Sequence, residues 1–120
     1  MFNLDLKDKV ILITGGSDGL GYASAELLSS EGAKVIICGR RGDYLSEKAK
    51  TISENTNNNV LAIQADVSKA EDCKRLVEET ISKFKKIDIL VNNAGASAAA
   101  LFEDVSDKNW EDDINLKLML

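Results

Sequence analysis

The chain has 120 residues with a formal net charge of −5, and it contains two Cys, no His and no Pro. Without His it cannot hold a Ser-His-Asp or Cys-His nucleophile or a His-ligated catalytic zinc. The acidic balance argues against a nucleic-acid-binding face, and no apolar run reaches the ~20 residues that cross a membrane. The first residues contain no signal-peptide core, so we expect a cytoplasmic, metal-free globular protein with reduced thiols.

Four short apolar runs predict strands, at residues 10–13, 35–38, 60–63 and 87–91. The first of them is typical of a strand that is buried on both faces of a sheet, and the second is also predicted to be buried. Helical periodicity follows each of the first three, and the apolar residues at helical spacing in the first helix are Leu20, Ala23, Leu27 and Leu28. Ser68 and Glu71 have the spacing of a capping box at the third helix, and Ser106 is the expected cap of a last helix that ends at Leu120. This alternation predicts a single α/β domain over residues 1–120, with a doubly wound parallel sheet covered by helices.

The first predicted strand meets the first helix in a glycine-rich turn, TGGSDGLG at residues 14–21. Glycines at such a turn let backbone N–H groups, and the positive end of the helix dipole, approach a pyrophosphate closely. The spacing is not that of a P-loop, since no Gly-Lys-Ser/Thr follows. Gly15 would make the tight turn, Gly19 would admit the phosphate and Gly21 would let helix and strand pack. The candidate phosphate-binding residues are Gly15, Ser17, Asp18, Gly19, Leu20 and Gly21.

This turn resembles the cofactor motif of the short-chain dehydrogenases/reductases. NNAG at residues 92–95, Asp66 after the third strand, and DINLK at residues 113–117 resemble three further motifs of that family, in the family's order. The resemblance covers nearly the whole chain and implies a Rossmann-type sheet with strand order 3-2-1-4. It also implies a nicotinamide-dependent oxidoreductase. The cofactor residues it implies beyond the turn are Asp66 and Val67 at the adenine, and Asn93, Ala94 and Gly95 at the far ribose.

The end of the second predicted strand indicates which nicotinamide cofactor is preferred. Gly39 stands where NAD-preferring relatives carry an acidic residue for the ribose 2′-hydroxyl, and Arg40 and Arg41 follow at once. Guanidinium groups suit a 2′-phosphate, with which they make charge-assisted and often bidentate hydrogen bonds. Asp18 weakens this interpretation, because NADP-preferring relatives often carry a basic residue there. We expect NADP(H) to be preferred over NAD(H).

The catalytic residues of the family are a Ser, a Tyr and Lys in Tyr-x-x-x-Lys spacing, and an Asn that supports a proton relay. The resemblance assigns the Asn role to Asn115, and the other three have no match in the chain at the expected place. Tyr44 and Lys48 have the Tyr-x-x-x-Lys spacing but follow the second strand, at the adenine end of the cofactor. Geometry therefore argues against a catalytic role for Tyr44.

Full-length relatives have further strands and are homo-oligomers. The resemblance therefore implies that the chain is the cofactor-binding half of such a protein, truncated at the C-terminus. Its fourth strand would then expose an unpaired edge. We expect a small-molecule carbonyl or alcohol substrate, whose identity the sequence does not specify, and neither nucleic-acid nor membrane partners. Two alternatives remain: a catalytically inactive nucleotide-binding or interaction module, and a fragment that does not fold alone.

Overall fold

Aliphatic and β-branched runs alternate with helices along the part of the chain that the computed structural model describes, residues 5–17, 19–93 and the backbone of 117–119. The strands are β1 (Val10–Thr14), β2 (Lys34–Gly39), β3 (Val60–Gln64), β4 (Ile89–Asn92) and β5 (Lys117–Met119). The helices are α1 (Gly19–Ser30), α2 (Gly42–Thr56) and α3 (Ala70–Phe84). Among these described residues, no helix is both long and apolar enough to cross a membrane.

The strands form one parallel sheet in the order β3-β2-β1-β4-β5. Ile11 of β1 lies between Val35 of β2 and Ile89 of β4, which fixes the register at the centre of the sheet. The predicted Rossmann-type fold and the strand order 3-2-1-4 are therefore confirmed. Because all strands run the same way, the segments that follow β1, β2, β3 and β4 emerge at one edge.

The last described segment differs from the prediction. Residues 117–119 form β5 and pair in parallel with β4, with Lys117 opposite Ile89, whereas a helix was expected to end there. The outer edge of β4 carries backbone N–H and C=O groups that need partners, and pairing with an extended segment provides them. The edge that the sequence left unpaired is thus covered by a fifth strand, and the helix expected from Ser106 lies outside the described residues.

Two apolar cores cover the two faces of the sheet. Residues of α3 pack on one face, and residues of α1 and α2 pack on the other. Cys38 of β2 and Cys73 of α3 are buried free thiols, as expected. Burial raises the pKa of the Cys38 thiol to about 12, so this side chain is neutral and behaves as a small apolar residue.

The buried face of α1 is not the one that its largest exposed apolar residues would indicate. Leu20 and Leu27 are 74% and 61% exposed, whereas Gly21, Ala25 and Ser29 are buried. Gly21 packs on the Gly15 carbonyl, Ala25 lies in the apolar core, and the Ser29 hydroxyl contacts Thr56 Oγ1 of α2 at 2.9 Å. The periodicity of the large apolar residues therefore indicated the helix but not its orientation.

The predicted cap of α3 is also wrong. The helix begins after Lys69, which makes no capping hydrogen bond through its side chain. Ser68 lies one residue too early, and its hydroxyl donates instead to Asp66 Oδ1 at 2.6 Å. The Ser68 N–H donates to the same oxygen at 3.0 Å, so Ser68 fixes the loop after β3 rather than the helix.

Candidate functional site

The turn between β1 and α1 has two glycines in the left-handed region of φ. Gly15 has φ +66° and Gly19 has φ +55°, conformations that side chains rarely adopt. The N–H groups of Gly15 and Gly16 donate to the Cys38 carbonyl at 3.0 and 3.3 Å, which ties the turn to the end of β2. No heavy atom of the described residues lies within 4 Å of a Cβ built on Gly19, so the outer side of this turn is open.

Gly21 allows the first turn of α1 to pack against the same loop. A Cβ at this position would overlap the Gly15 carbonyl oxygen and would lie 2.7 Å from Asn93 Nδ2. Such contacts do not occur between real atoms, so any larger residue would push α1 away from β1. The third glycine therefore serves packing, in the way that the spacing of the motif predicted.

A polar network joins the turn to the segment after β4. The Thr14 hydroxyl donates to Asn92 Oδ1 at 3.2 Å and accepts from the Asn93 N–H at 2.9 Å. Asn93 Nδ2 in turn donates to the Gly15 carbonyl at 3.3 Å. Thr14 is fully buried at the end of β1 and was given no role in the sequence analysis. A hydroxyl that ends an otherwise apolar strand was the signal that could have identified it.

The end of β2 presents two arginines to solvent. Arg40 and Arg41 are both exposed, and Arg41 is the cap residue of α2. The Arg41 guanidinium carbon lies 4.2 Å from the centroid of the Tyr44 ring. Lys48 Nζ lies 5.1 Å from that ring and 5.1 Å from the Tyr22 ring of α1. Tyr44 and Lys48 thus belong to a cation–aromatic cluster beside β2, and β1 separates β2 from β4 in the sheet.

Asp66 lies in the loop after β3 and is held as a carboxylate. Its Oδ1 accepts from the Ser68 hydroxyl at 2.6 Å and from the Ser68 N–H at 3.0 Å. These two bonds hold the pKa of Asp66 below its usual range, and the charges of Lys69 and Arg40 act in the same direction. The next residue, Val67, accepts a hydrogen bond from Cys73 Sγ at 3.3 Å, which anchors the loop to α3.

The structure brings most of the predicted site residues to one edge of the sheet, at the carboxyl ends of four neighbouring strands. This is the position at which open α/β sheets bind ligands. The residues placed there are Gly15, Ser17, Gly19, Leu20, Gly21, Arg40, Arg41, Asp66, Val67 and Asn93. Four others lie outside the described residues: Asp18, Ala94, Gly95 and Asn115.

Comparison with known proteins identifies the family. The family model described as short chain dehydrogenase matches residues 9–119. Among curated relatives, 11-beta-hydroxysteroid dehydrogenase A of Sesamum indicum is 38% identical over 107 residues, which make up 89% of this chain and 31% of the relative. The similarity therefore extends over almost all of this chain and over the minor part of the relative.

Solved structures agree with this assignment. L-sorbose reductase from Gluconobacter frateurii, in complex with NADPH and L-sorbose, has a TM-score of 0.72 and 41% identity, covering 76% of this chain and 35% of that chain. NADH-dependent reductase A1-R′, responsible for alginate metabolism, has a TM-score of 0.76 and 26% identity, covering 88% of this chain and 52% of that chain. The chain thus spans roughly a third to a half of these proteins. It belongs to the short-chain dehydrogenase/reductase family of oxidoreductases, whose NAD(P)-binding Rossmann fold it shares.

Proposed function

We propose that residues 1–120 are the NADP(H)-binding domain of an oxidoreductase that acts on a small carbonyl or alcohol substrate. When bound, the nicotinamide donates or accepts a hydride. The observation that carries the cofactor preference is the end of β2, where two exposed guanidinium groups follow Gly39. The 41% identity to a reductase solved with NADPH supports the same preference.

The turn and its neighbours have the features that a dinucleotide requires. The open side of Gly19 at the start of α1 leaves room for the pyrophosphate, which the free N–H groups and dipole of a helix N-terminus attract. Asp66 and Val67 would hold the adenine at the end of β3. Asn93, with Ala94 and Gly95, would hold the ribose next to the nicotinamide. The Thr14 network fixes Asn93 beside the turn before any ligand arrives.

The same geometry favours a 2′-phosphate over a free 2′-hydroxyl. A carboxylate at the end of β2 would accept hydrogen bonds from the hydroxyl and repel a phosphate, and Gly39 supplies none. Arg40 and Arg41 offer the opposite charge at this place. The Asp66 carboxylate lies in the loop after β3, where it would face the adenine rather than the 2′ position.

The test replaces Arg40 and Arg41 by Ala and measures NADPH and NADH affinity by fluorescence titration. Loss of charge-assisted hydrogen bonds should weaken NADPH binding by about 10- to 100-fold and change NADH binding by less than about twofold. Arg75→Ala is the matched control, because Arg75 is exposed but bonds within α3 and to the Gln64 carbonyl. Equal losses for the two cofactors would contradict the proposed preference.

Asn115 is the single catalytic residue proposed within this chain, and it would support a proton relay. The only Tyr-x-x-x-Lys in the sequence, Tyr44 to Lys48, lies beside β2 rather than near β4. Residues 1–120 alone should therefore bind NADPH without turning it over. Steady NADPH oxidation by the purified chain with any carbonyl substrate would contradict this.

The alternative is a nucleotide-binding module without catalysis, and the length of the protein in its source distinguishes the two. If the natural sequence continues into a Ser and a second Tyr-x-x-x-Lys, the whole protein should be a reductase. If it does not, cofactor binding without turnover would favour the binding module. Failure of the chain to bind either cofactor would contradict both.

A further inference from the structure

The Tyr-x-x-x-Lys pair beside β2 has no place in the proposed chemistry, yet the Tyr44 side chain contacts Arg41, a residue of the proposed cofactor site. Tyr44 lies in the first turn of α2, three residues after Arg41, and is half-buried. The Arg41 guanidinium stacks over its ring at 4.2 Å. This distance is well within the ~6 Å over which a cation is attracted to an aromatic face.

Stacking changes what an exposed arginine can do. A free arginine side chain samples many rotamers and loses roughly 2 kcal/mol of conformational freedom when a ligand fixes it. A guanidinium that lies over an aromatic ring has fewer rotamers open to it. Binding of an anion by that guanidinium then costs less, because part of the ordering has already occurred.

Lys48 also lies close to the Tyr44 ring. Lys48 follows Tyr44 by one helical turn, and its ammonium lies 5.1 Å from the Tyr44 ring and 5.1 Å from the Tyr22 ring. Tyr22 belongs to α1, so the cluster joins the two helices on this face of the sheet. Lys48 also adds a second positive charge close to Arg41.

The two arginines after β2 are therefore not equivalent. Arg40 acts electrostatically on Asp66, on the side of β3. Arg41 lies on Tyr44, on the side of α1 and the glycine-rich turn. The sequence alone predicts two adjacent cations, and the structure gives them different neighbours, Asp66 for Arg40 and Tyr44 for Arg41.

From this geometry we propose that Tyr44 is a positioning residue for cofactor specificity, which holds the Arg41 guanidinium in place for the 2′-phosphate of NADP(H). Lys48 supports the Tyr44 ring in that role. This inference rests on the NADP(H) preference proposed above. It gives the Tyr-x-x-x-Lys pair a function in cofactor recognition rather than in proton transfer.

The test uses two ligands that differ only in the 2′-phosphate, adenosine 5′-monophosphate and adenosine 2′,5′-bisphosphate. Their affinities are measured by calorimetry for the unsubstituted chain and for Tyr44→Leu, Tyr44→Phe and Arg41→Ala. Tyr44→Leu should weaken the bisphosphate by about three- to tenfold and leave the monophosphate within about twofold. Tyr44→Phe keeps the ring face and should bind both ligands as the unsubstituted chain does.

A structural readout accompanies the affinities. The ring current of residue 44 should shift the NMR signals of the Arg41 side chain in the unsubstituted chain and in Tyr44→Phe. This measurement can contradict the inference with the unsubstituted chain alone, so the inference stays testable if Tyr44→Leu does not fold. Unshifted Arg41 signals would overturn it.

The outcomes separate the two proposals. If Arg41→Ala loses the preference for the bisphosphate and Tyr44→Leu keeps it, Tyr44 has no positioning role and the NADP(H) preference stands. If Tyr44→Phe loses as much as Tyr44→Leu, the ring face is not responsible, and this inference is overturned. If the unsubstituted chain shows no preference for the bisphosphate, both proposals fail.

Discussion

The contact at Gly21 makes the glycine-rich turn intolerant of even one methyl group. Gly21→Ala would place a Cβ against the Gly15 carbonyl oxygen and Asn93 Nδ2, and a backbone carbonyl cannot swing aside as a side chain can. We expect the free energy of unfolding to fall by about 1–3 kcal/mol, measured by urea denaturation. Cofactor affinity should fall as well, because the turn must open.

Gly42→Ala is the control for that prediction. Gly42 begins α2, and its added Cβ would meet Gln64 Cγ at 3.5 Å, an ordinary van der Waals distance. Alanine also restricts the unfolded chain, so this variant should gain up to about 1 kcal/mol. If Gly21→Ala lowers the free energy of unfolding no more than Gly42→Ala does, the inference that α1 closely approaches the turn is wrong.

Under the proposed NADP(H) preference, the carboxylate that Gly39 lacks is what sets the choice of cofactor. A Cβ there would lie 3.4 Å from Leu45 Cδ1 and 3.8 Å from Ser17 Oγ, which are ordinary van der Waals distances. Gly39→Asp should lower NADPH affinity by at least about tenfold and raise that of NADH, because a carboxylate repels the 2′-phosphate and accepts from the 2′-hydroxyl. Gly39→Asn, of equal size but uncharged, should change the ratio far less. Equal ratios in the two variants would exclude a charge effect.

Among the elements, β1 and β4 are joined at their beginnings by Asp88. Its Oδ2 accepts from the Val10 N–H at 2.8 Å and from Lys86 Nζ at 2.9 Å, while its own N–H donates to the Val10 carbonyl at 2.9 Å. Partial burial would raise the pKa of Asp88, but the hydrogen bonds from Val10 and Lys86 outweigh it and the pKa is lowered.

A lowered folded-state pKa makes stability depend on pH in a defined direction. The contribution of Asp88 is present above its unfolded pKa, near ~3.9, and is lost as pH falls through the lower folded value. Urea denaturation of the unsubstituted chain and of Asp88→Asn should therefore give a difference that shrinks between pH 7 and pH 3. A difference that is constant over this range would show that the charge of Asp88 contributes nothing.

The elements show which sequence signals were sufficient. A strand pairs through its backbone wherever an apolar run is extended, so the four apolar runs predicted β1 to β4 within one or two residues. A helix must also be oriented, and in α1 the side chains that mark a stripe by their size, Leu20 and Leu27, are exposed while Ala25 is buried. Size reports apolarity but not how closely two elements approach, and that distance is a tertiary property.

The candidate site was predictable for a different reason. Its residues follow four strands of one parallel sheet, so the strand order alone places Gly19, Arg41, Asp66 and Asn93 at one edge. What the sequence could not provide were contacts between side chains distant along the chain. The hydroxyl of Thr14 was visible at the end of an apolar strand, but its partner Asn93, 79 positions along the chain, became recognisable only through packing of β1 against β4.

At the scale of the whole molecule, one sheet separates two cores that share no side chains. Ile52 of α2 and Leu76 of α3 are fully buried on opposite faces. Replacing either by Ala should lower the free energy of unfolding by about 2–5 kcal/mol, because each leaves a cavity. Both cores nevertheless rest on the same strands, so we expect each variant to unfold in a single transition.

The double variant tests whether the sheet transmits strain between its faces. Because Ile52 and Leu76 have no common neighbour in either core, their costs should add within about 0.5 kcal/mol. Urea denaturation of both single variants and the double variant, followed by circular dichroism, measures the sum. A coupling above about 1 kcal/mol would mean that the strands shift to fill one cavity and disturb the opposite face, and that the glycine-rich turn at their ends is sensitive to packing on both sides.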